Sequence, residues 1–112
     1  MTELKLKDII EEDSYNSYEF EIYADGEKVG AANVMAENED DDHAYVERID
    51  INSGQQNKGY GTDALQQLSD KWYGIEIAPD NPDAQRLYAR LGEESSWEDA
   101  CYIDQGYGVY RI

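Results

Sequence analysis

The apolar residues of this 112-residue chain change their spacing halfway along, and that change constrains the fold more than any other feature. From Tyr18 to Tyr23 the apolar side chains fall mainly on the even positions, which is the period of a β-strand with one buried face. The dipeptide Asp25-Gly26 is typical of a tight hairpin turn, and a second strand is predicted from Val29 to Ala36. The first half of the chain therefore predicts antiparallel strands.

The segment "AYVERIDIN", residues 44–52, resumes the alternation after the acidic run Glu37–Asp42. One predicted face of this strand carries Val46, Arg48 and Asp50. The opposite predicted face carries Tyr45, Glu47, Ile49 and Ile51. A further, shorter strand is predicted around Leu4–Ile10, which gives three or four strands in sequence.

After position 58 the apolar spacing becomes helical. Ala64, Leu65, Leu68 and Trp72 form one apolar stripe, which predicts a helix from about Gly59 to Tyr73. The short apolar run "YGIEIAP", residues 73–79, predicts a strand. The segment "DNPDAQRLYARLG", residues 80–92, predicts a second helix with Asp80 or Asn81 as N-cap, Pro82 in its first turn and Gly92 at its end.

The C-terminal segment "CYIDQGYGVYRI" predicts two closing strands around Gln105-Gly106. A strand, a helix and a strand in the middle of the chain imply a parallel pair with a right-handed crossover. The predicted fold class is therefore α+β (mixed α/β), with a mostly antiparallel sheet, a central parallel strand pair and two main helices. The length predicts a single domain over residues 1–112.

The composition is strongly acidic, with 26 Asp and Glu against 9 Lys and Arg and a formal net charge of -17. Such a field repels nucleic acid and anionic lipid and favours basic partners, so no nucleic acid and no membrane partner is expected. Solubility at high salt explains an acidic surface equally well. Both explanations of the charge stay open.

Cysteine and histidine each occur once, as Cys101 and His43. No intrachain disulfide or cysteine-based metal cluster is possible, and no metal site is expected. The acidic run before His43 is interpreted as a solvated loop because consecutive turn residues point in diverging directions. The chain has neither an apolar run long enough to span a bilayer nor a secretory signal at its N-terminus, so a cytoplasmic location is expected.

Two glycines follow a lysine in "QQNKGYGT", residues 55–62, where the predicted strand gives way to a helix. Gly59 and Gly61 allow backbone N–H groups at a helix start to converge on a phosphate, and Lys58 adds a positive charge. The segment lacks the spacing of nucleoside triphosphate loops and the third glycine of dinucleotide loops. Taken alone, an ordinary strand-to-helix turn explains it better.

The glycine loop and the second predicted helix, taken together, are a more specific signal than the loop alone. Residues Gln56 to Gly61 match the Q/R-x-x-G-x-G/A loop of the GNAT-type N-acetyltransferase superfamily, and "NPDAQRLYARLG" is similar to that family's N-x-x-A-x-x-L-Y-x-x-x-G helix. The order and spacing are also those of the family, and residues 18–112 as a whole resemble it. The resemblance implies that acetyl-coenzyme A (acetyl-CoA) is the cosubstrate of an N-acetyltransferase acting on a primary amine.

The resemblance also implies roles for particular residues. The end of the predicted strand and the glycine loop would hold acetyl-CoA, with Asn81 as a further contact. The positions concerned are Ile49, Asp50, Ile51, Gln56, Asn57, Lys58, Gly59, Tyr60, Gly61, Thr62 and Asn81. Tyr88 would stand near the thioester sulfur, where a phenol can protonate a leaving thiolate. Glu47 is the candidate for taking the amine proton through water.

One departure from the family pattern concerns the acceptor. Members of the superfamily usually place two helices between their first two strands, whereas only about seven residues separate Ile10 from Tyr18 here. The predicted acceptor groove is therefore open, or completed by a second chain, so both a monomer and a homodimer are compatible. An open acidic groove suits a basic acceptor such as a protein lysine, an N-terminus or a polyamine. The alternatives are a non-catalytic module of the same fold that binds coenzyme A or a basic protein, and an acidic mimic of nucleic acid.

Overall fold

The computed structural model describes residues 2–40, 44–94 and 107–112. The strands within these ranges are β1 (Thr2–Glu11), β2 (Asn16–Ala24), β3 (Glu27–Ala36), β4 (Ala44–Ile51), β5 (Ile75–Ile77), β6 (Glu93–Glu94) and β7 (Tyr110–Arg111). The helices are α1 (Tyr60–Lys71) and α2 (Pro82–Leu91), and a 3-10 turn, Ser53–Gln55, precedes α1. None of the helices in the described ranges is long and apolar enough to cross a membrane.

The described strands form one seven-stranded sheet in the order β1-β2-β3-β4-β5-β7-β6. Only β4 and β5 run parallel, and α1 forms the crossover between them. All other neighbouring strands are antiparallel. The predicted fold class, a mixed α+β sheet with a central parallel pair and two main helices, is confirmed.

The connection between β1 and β2 is a short turn of residues 12–15, so the two strands form a hairpin and no helix lies between them. The expected absence of the two helices at this point is thereby confirmed. β1 itself has ten residues and is longer than the predicted strand around Leu4–Ile10. The next turn is the one that the sequence predicts, since Asp25 and Gly26 both have positive φ values, 52° and 80°, as a primed hairpin turn requires.

The sheet has two faces, which are named here by the helices on them. The α1 face carries Tyr18, Phe20 and Ile22, and the apolar stripe of α1 packs against it. Trp72, which is fully buried directly after α1, meets the rings of Tyr18 and Phe20 edge-on at 5.2 and 6.0 Å between ring centroids. The main core therefore lies between α1 and β2, β3 and β4.

A β-bulge corrects the faces predicted for the residues of β4 that follow Glu47. Val34 of β3 pairs with Val46 of β4, but its neighbour Asn33 pairs with Arg48, so Glu47 is an extra residue in β4. After the bulge Ile49 pairs with Ala32, which lies on the same face as Val34. The α1 face of β4 therefore carries Val46, Ile49 and Ile51. The prediction that Glu47 shares a face with Ile49 and Ile51 is wrong, because Glu47 lies with Tyr45 on the opposite face, the α2 face.

Of the two strands predicted at the C-terminus, the structure describes one. β7 pairs with β5, while the other predicted strand falls within residues 95–106, outside the described residues. β6 follows α2 directly and was not predicted. Gly92, between α2 and β6, allows the backbone to pass close to β7. A Cβ atom at this position would lie 1.9 Å from the carbonyl oxygen of Arg111.

Asp63 of α1 holds the start of β1 in place. Its Oδ2 accepts hydrogen bonds from the Thr2 amide (2.6 Å) and the Thr2 hydroxyl (2.7 Å), and Gln67 Nε2 donates to the Thr2 carbonyl (2.7 Å). The hydrogen bonds from Thr2 lower the pKa of Asp63. The ionised carboxylate is therefore the form that stabilises the fold.

Asp63→Asn is expected to lower the free energy of unfolding by about 1–3 kcal/mol at neutral pH, since hydrogen bonds to a charged group are lost. Because the folded pKa lies below the unfolded one, this contribution is complete above the unfolded pKa of about 3.9 and disappears as pH falls through the folded value. Urea titrations between pH 7 and pH 3 test this. Asp70→Asn, at an exposed position of the same helix, is the control, and an equal loss in both variants would contradict the role of Asp63.

Candidate functional site

A cleft opens where β4 and β5 part. The two strands pair only over Ala44–Val46 and Ile75–Ile77, whereas β4 continues to Ile51. The bulge at Glu47 begins where this pairing ends. Within the described residues, the β4 backbone from Glu47 to Ile51 therefore has no strand partner on the side turned away from β3. Apart from the carbonyl of Ile51, which accepts a hydrogen bond from Gln56, the N–H and C=O groups on that side are available to a ligand that runs along the strand.

The start of α1 closes one end of this cleft. Gly59 is the N-cap with φ of 81°, and no side chain caps the helix. The first intrahelical bond comes from the amide of Asp63 to the carbonyl of Gly59 (3.0 Å). The amides of residues 60–62 accordingly have no hydrogen-bond partner in the described part of the chain. A helix start with exposed amides is a favourable place for a phosphate group.

The loop before α1 is fastened to the end of β4. Gln56 Nε2 donates to the carbonyl of Ile51 (3.1 Å), and Lys58 Nζ donates to Gln55 Oε1 (3.1 Å). Asn57 adopts a positive φ of 64°. Lys58 itself directly precedes Gly59, the N-cap of α1.

Gly61 leaves space in the cleft. A Cβ atom placed on Gly61 would have one described neighbour, the Cγ1 atom of Ile51, at 3.6 Å, an ordinary van der Waals distance. The missing side chain of Gly61 therefore opens the gap between α1 and the end of β4. The predicted loop residues are brought together here; Gln56, Asn57, Lys58 and Gly59 are exposed, while Ile49, Ile51, Tyr60, Gly61 and Thr62 are half-buried.

Asn81 begins α2 as the sequence predicts. Its Oδ1 accepts a hydrogen bond from the amide of Ala84 (2.8 Å), and its Nδ2 donates to Asp80 Oδ1 (2.9 Å). Both ends of the side-chain amide are thus engaged in the structure of the α2 start. The capping role is confirmed, and the contact between Asn81 and acetyl-CoA stays a prediction.

Tyr88 is buried on α2, with 9% of its surface exposed. Burial, followed by the negative charge of Asp80 and the neighbouring phenol of Tyr45, raises the pKa of Tyr88 to about 12. The phenol therefore keeps its proton far above neutral pH. A buried, protonated phenol is suited to giving a proton to a departing anion and not to acting as a base.

Tyr45 is a neighbour of the site that the sequence did not single out. It is half-buried on the α2 face, and burial together with the charge of Glu47 raises its pKa. Tyr45 thus lies within electrostatic range of both Glu47 and Tyr88. Glu47 shares this face with Tyr45, while the bulge turns Ile49 and Ile51 to the α1 face. The two predicted catalytic residues, Glu47 and Tyr88, therefore lie on the same side of the sheet.

No group of three or more His, Cys, Asp or Glu side chains is placed to hold a metal ion among the residues that the structure describes. The acidic run before His43 is described only as far as Asp40. Its interpretation as a solvated loop stays a prediction.

Comparison with known proteins gives the family. The model of the acetyltransferase (GNAT) family matches residues 2–92, which is most of the chain. The fold and the cleft between the parting strands agree with this match. The chain belongs to the GNAT acetyltransferase family.

Solved structures with the same fold are numerous. A GNAT-family acetyltransferase from Staphylococcus aureus matches with a TM-score of 0.62 and 16% identity, over 85% of this chain and 66% of that one. The ribosomal-protein-S18-alanine N-acetyltransferase from Escherichia coli matches with a TM-score of 0.58 and 21% identity, over 90% of this chain and 66% of that one. The PaiA N-acetyltransferase from Thermoplasma acidophilum, in complex with coenzyme A, matches with a TM-score of 0.58 and 11% identity, over 85% and 58%.

At these identities the likeness shows the fold. The chain spans no more than 66% of the length of these three solved proteins. A search of curated protein sequences returns no significant match.

Proposed function

We propose that this protein is an acetyl-CoA-dependent N-acetyltransferase that transfers an acetyl group to a primary amine of a basic acceptor. The observation that carries the proposal is the parting of β4 from β5 at the start of α1. It leaves strand backbone, helix amides and the Gly61 gap facing one cleft. This combination fits a long ligand with an amide-bearing arm and a phosphate-bearing end.

Two sets of residues would bind two different parts of acetyl-CoA. Main-chain groups of Ile49–Ile51 would pair with the amides of the pantetheine arm. The amides of Gln56–Thr62 and the charge of Lys58 would hold the pyrophosphate. Local geometry outweighs the net charge here, because a helix N-terminus contributes about 0.3–1 kcal/mol to a nearby anion. Acids beyond about 8 Å are largely screened at physiological salt.

The two candidate catalytic residues each transfer a proton. Acetyl-CoA supplies the acetyl group as a thioester. Tyr88 Oη donates its proton to the departing sulfur, and the carboxylate of Glu47 accepts, through water, the proton that the amine loses. Burial penalises a thiolate as it penalises a phenolate, so the same surroundings that raise the pKa of Tyr88 also raise the proton affinity of the sulfur.

The acceptor is proposed from charge. A net charge of -17 draws cations to the protein and disfavours anionic acceptors. A primary amine on a protein lysine, an N-terminus or a polyamine has the required sign. Its deprotonation to the nucleophilic form is the task assigned to Glu47.

The test is a calorimetric titration of acetyl-CoA into the protein and into two variants. Gly61→Leu fills the gap beside Ile51 and is expected to weaken binding at least about tenfold, a loss of about 1.4 kcal/mol. Gly54→Leu is the matched control, because a Cβ at Gly54 meets no atom within 4 Å. Acetyl-CoA that fails to bind the parent protein, or binds both variants equally well, would contradict the proposed site.

A second measurement separates an enzyme from a non-catalytic module that only binds coenzyme A. Release of free coenzyme A thiol is followed with acetyl-CoA and a panel of basic peptides and amines. Release that depends on the acceptor supports the enzyme. Binding of acetyl-CoA without release by any acceptor would favour the module.

A further inference from the structure

The α2 face of the sheet carries side chains that no described helix covers on β1, β2 and β3. α1 packs on the other face, and α2 lies near the β4–β5 end, where Tyr88 neighbours Tyr45. The short β1–β2 turn adds no cover. In the described part of the chain, this sheet face is therefore open from its edge up to the proposed site of acetyl transfer.

A polar row crosses this open face. Glu19 of β2 pairs with Asn33 of β3, and Asn33 pairs with Arg48 of β4, directly next to the bulged residue Glu47. Glu19 and Asn33 are thus in register on neighbouring strands, and Glu47 lies on the third strand beside Arg48, which shares this face and is paired with Asp50. Since neighbouring strands lie about 4.8 Å apart, the backbones of Glu19 and Glu47 are separated by about 10 Å.

The two carboxylates of this row differ from others on the same face. Glu21 pairs with Lys28 (2.9 Å) and Asp50 pairs with Arg48 (2.8 Å), so these acids are neutralised within the chain. Among the described residues, the side chains of Glu19, Asn33 and Glu47 have no ion-pair or hydrogen-bond partner. Glu19 and Asn33 are also half-buried, which reduces competition from water. The row offers two free negative charges and a free amide to an outside group.

The shape of the surface selects the kind of ligand. Small molecules bind in concave sites that bury about 70–90% of their surface, and an open sheet face does not enclose a ligand in this way. A polypeptide segment obtains its contact area from its length instead. In a polyproline II segment, residues three apart point to the same side and are separated by about 9 Å, close to the spacing of Glu19 and Glu47.

Resting on the acetyltransferase function proposed above, we infer that the acceptor is a basic polypeptide segment that lies across the row of Glu19, Asn33 and Glu47. Its reactive amine lies at Glu47, near Tyr88. A second cationic side chain, about three residues away, pairs with Glu19. Glu19 is thus a specificity-determining residue that takes no part in the proton transfers.

The binding test uses two fluorescein-labelled decapeptides of Gly and Ser, one with lysine at every third position and one with a single lysine. Their affinities are measured by fluorescence anisotropy. Glu19→Gln is expected to weaken binding of the multi-lysine peptide about threefold to fivefold, the size of an exposed ion pair, and to leave the single-lysine peptide unchanged. The control is Glu11→Gln, an exposed acid whose pairing with Asn16 puts it on the α1 face; no change is expected there.

The kinetic test follows acetylation of the same peptides. Glu19→Gln is expected to raise KM for the multi-lysine peptide by the same factor, with kcat and KM for acetyl-CoA unchanged. Equal losses in Glu11→Gln would overturn the inference, because they would indicate a general field effect. Spermidine acetylated with the same kcat/KM as the multi-lysine peptide would also overturn it.

The two proposals fail in different ways. Acetyl-CoA that does not bind, or no acetyl transfer to any acceptor, refutes the proposed function. Normal binding and turnover, combined with an unchanged peptide affinity in Glu19→Gln, refutes only the assignment of Glu19.

Discussion

Tyr88→Phe is expected to lower kcat by about 100-fold or more, within the 10²–10⁴-fold range of general acid catalysis, while the Kd of acetyl-CoA changes less than about twofold. The substitution removes the proton that we assign to the departing sulfur and keeps the buried ring. Stopped assays of coenzyme A release give kcat, and calorimetry gives the Kd. The matched control is Tyr18→Phe, which removes the hydroxyl of another buried tyrosine from the α1 face.

The pH dependence adds a second readout to this prediction. Because the pKa of Tyr88 is raised to about 12, the phenol is protonated, and thus active as an acid, at every pH below that value. kcat/KM is expected to rise with pH as the acceptor amine loses its proton, and not to fall again below about pH 11. A falling limb between pH 8 and pH 10 that disappears in Tyr88→Phe would contradict this protonation state. Equal turnover in Tyr88→Phe and the parent protein would remove Tyr88 from the mechanism.

Much of the fold follows from short-range patterns in the sequence. The alternation around Tyr18–Tyr23, the turn at Asp25-Gly26 and the helical stripe of α1 each depend on neighbouring residues. The structure confirms all three. Asn81 and Gly92 bound α2 as predicted, since capping is also a local matter. The change from period two to helical spacing was therefore sufficient to predict the order of the main elements.

The faces of the β4 residues after Glu47 could not be predicted in this way. A β-bulge is an event between two strands, and nothing in "AYVERIDIN" marks which residue is left without a partner. One extra residue exchanges the two faces for everything after it. The local alternation therefore failed just after Glu47, beside the proposed site. It placed Ile49 and Ile51 on the face of Tyr45 and Glu47, whereas the bulge turns them to the α1 face.

Other features of the site depend on distant parts of the chain. The raised pKa of Tyr88 comes from burial and from Asp80 and Tyr45, which the fold brings near it. That the carboxylate of Glu19 has no ion-pair partner, whereas Glu21 and Asp50 on the same face do, can be seen only in the folded structure. The family motifs predict that the loop and Tyr88 belong to one cofactor site, and this placement and the contacts to acetyl-CoA both stay predictions.

Trp72→Ala is expected to lower the free energy of unfolding by about 3–5 kcal/mol, the range measured when large buried aromatic side chains are truncated. Trp72 is fully buried, meets Tyr18 and Phe20 edge-on, and donates from Nε1 to the carbonyl of Asn38 (3.1 Å). The truncation leaves a cavity under the sheet and an acceptor without its donor. Since domains are stable by about 5–15 kcal/mol in total, this variant should be close to unfolding at room temperature.

Urea titration monitored by circular dichroism measures this loss, and two variants separate its causes. Trp72→Phe keeps an aromatic ring but removes the donor to Asn38, so an intermediate loss of about 1–3 kcal/mol is expected. Tyr73→Ala is the control, because Tyr73 directly follows Trp72 in the sequence and is 81% exposed. Its free energy of unfolding should fall by no more than about 0.5 kcal/mol. A loss below about 1.5 kcal/mol in Trp72→Ala would show that the core between α1 and the sheet does not depend on this ring, since buried truncations of this size cost more.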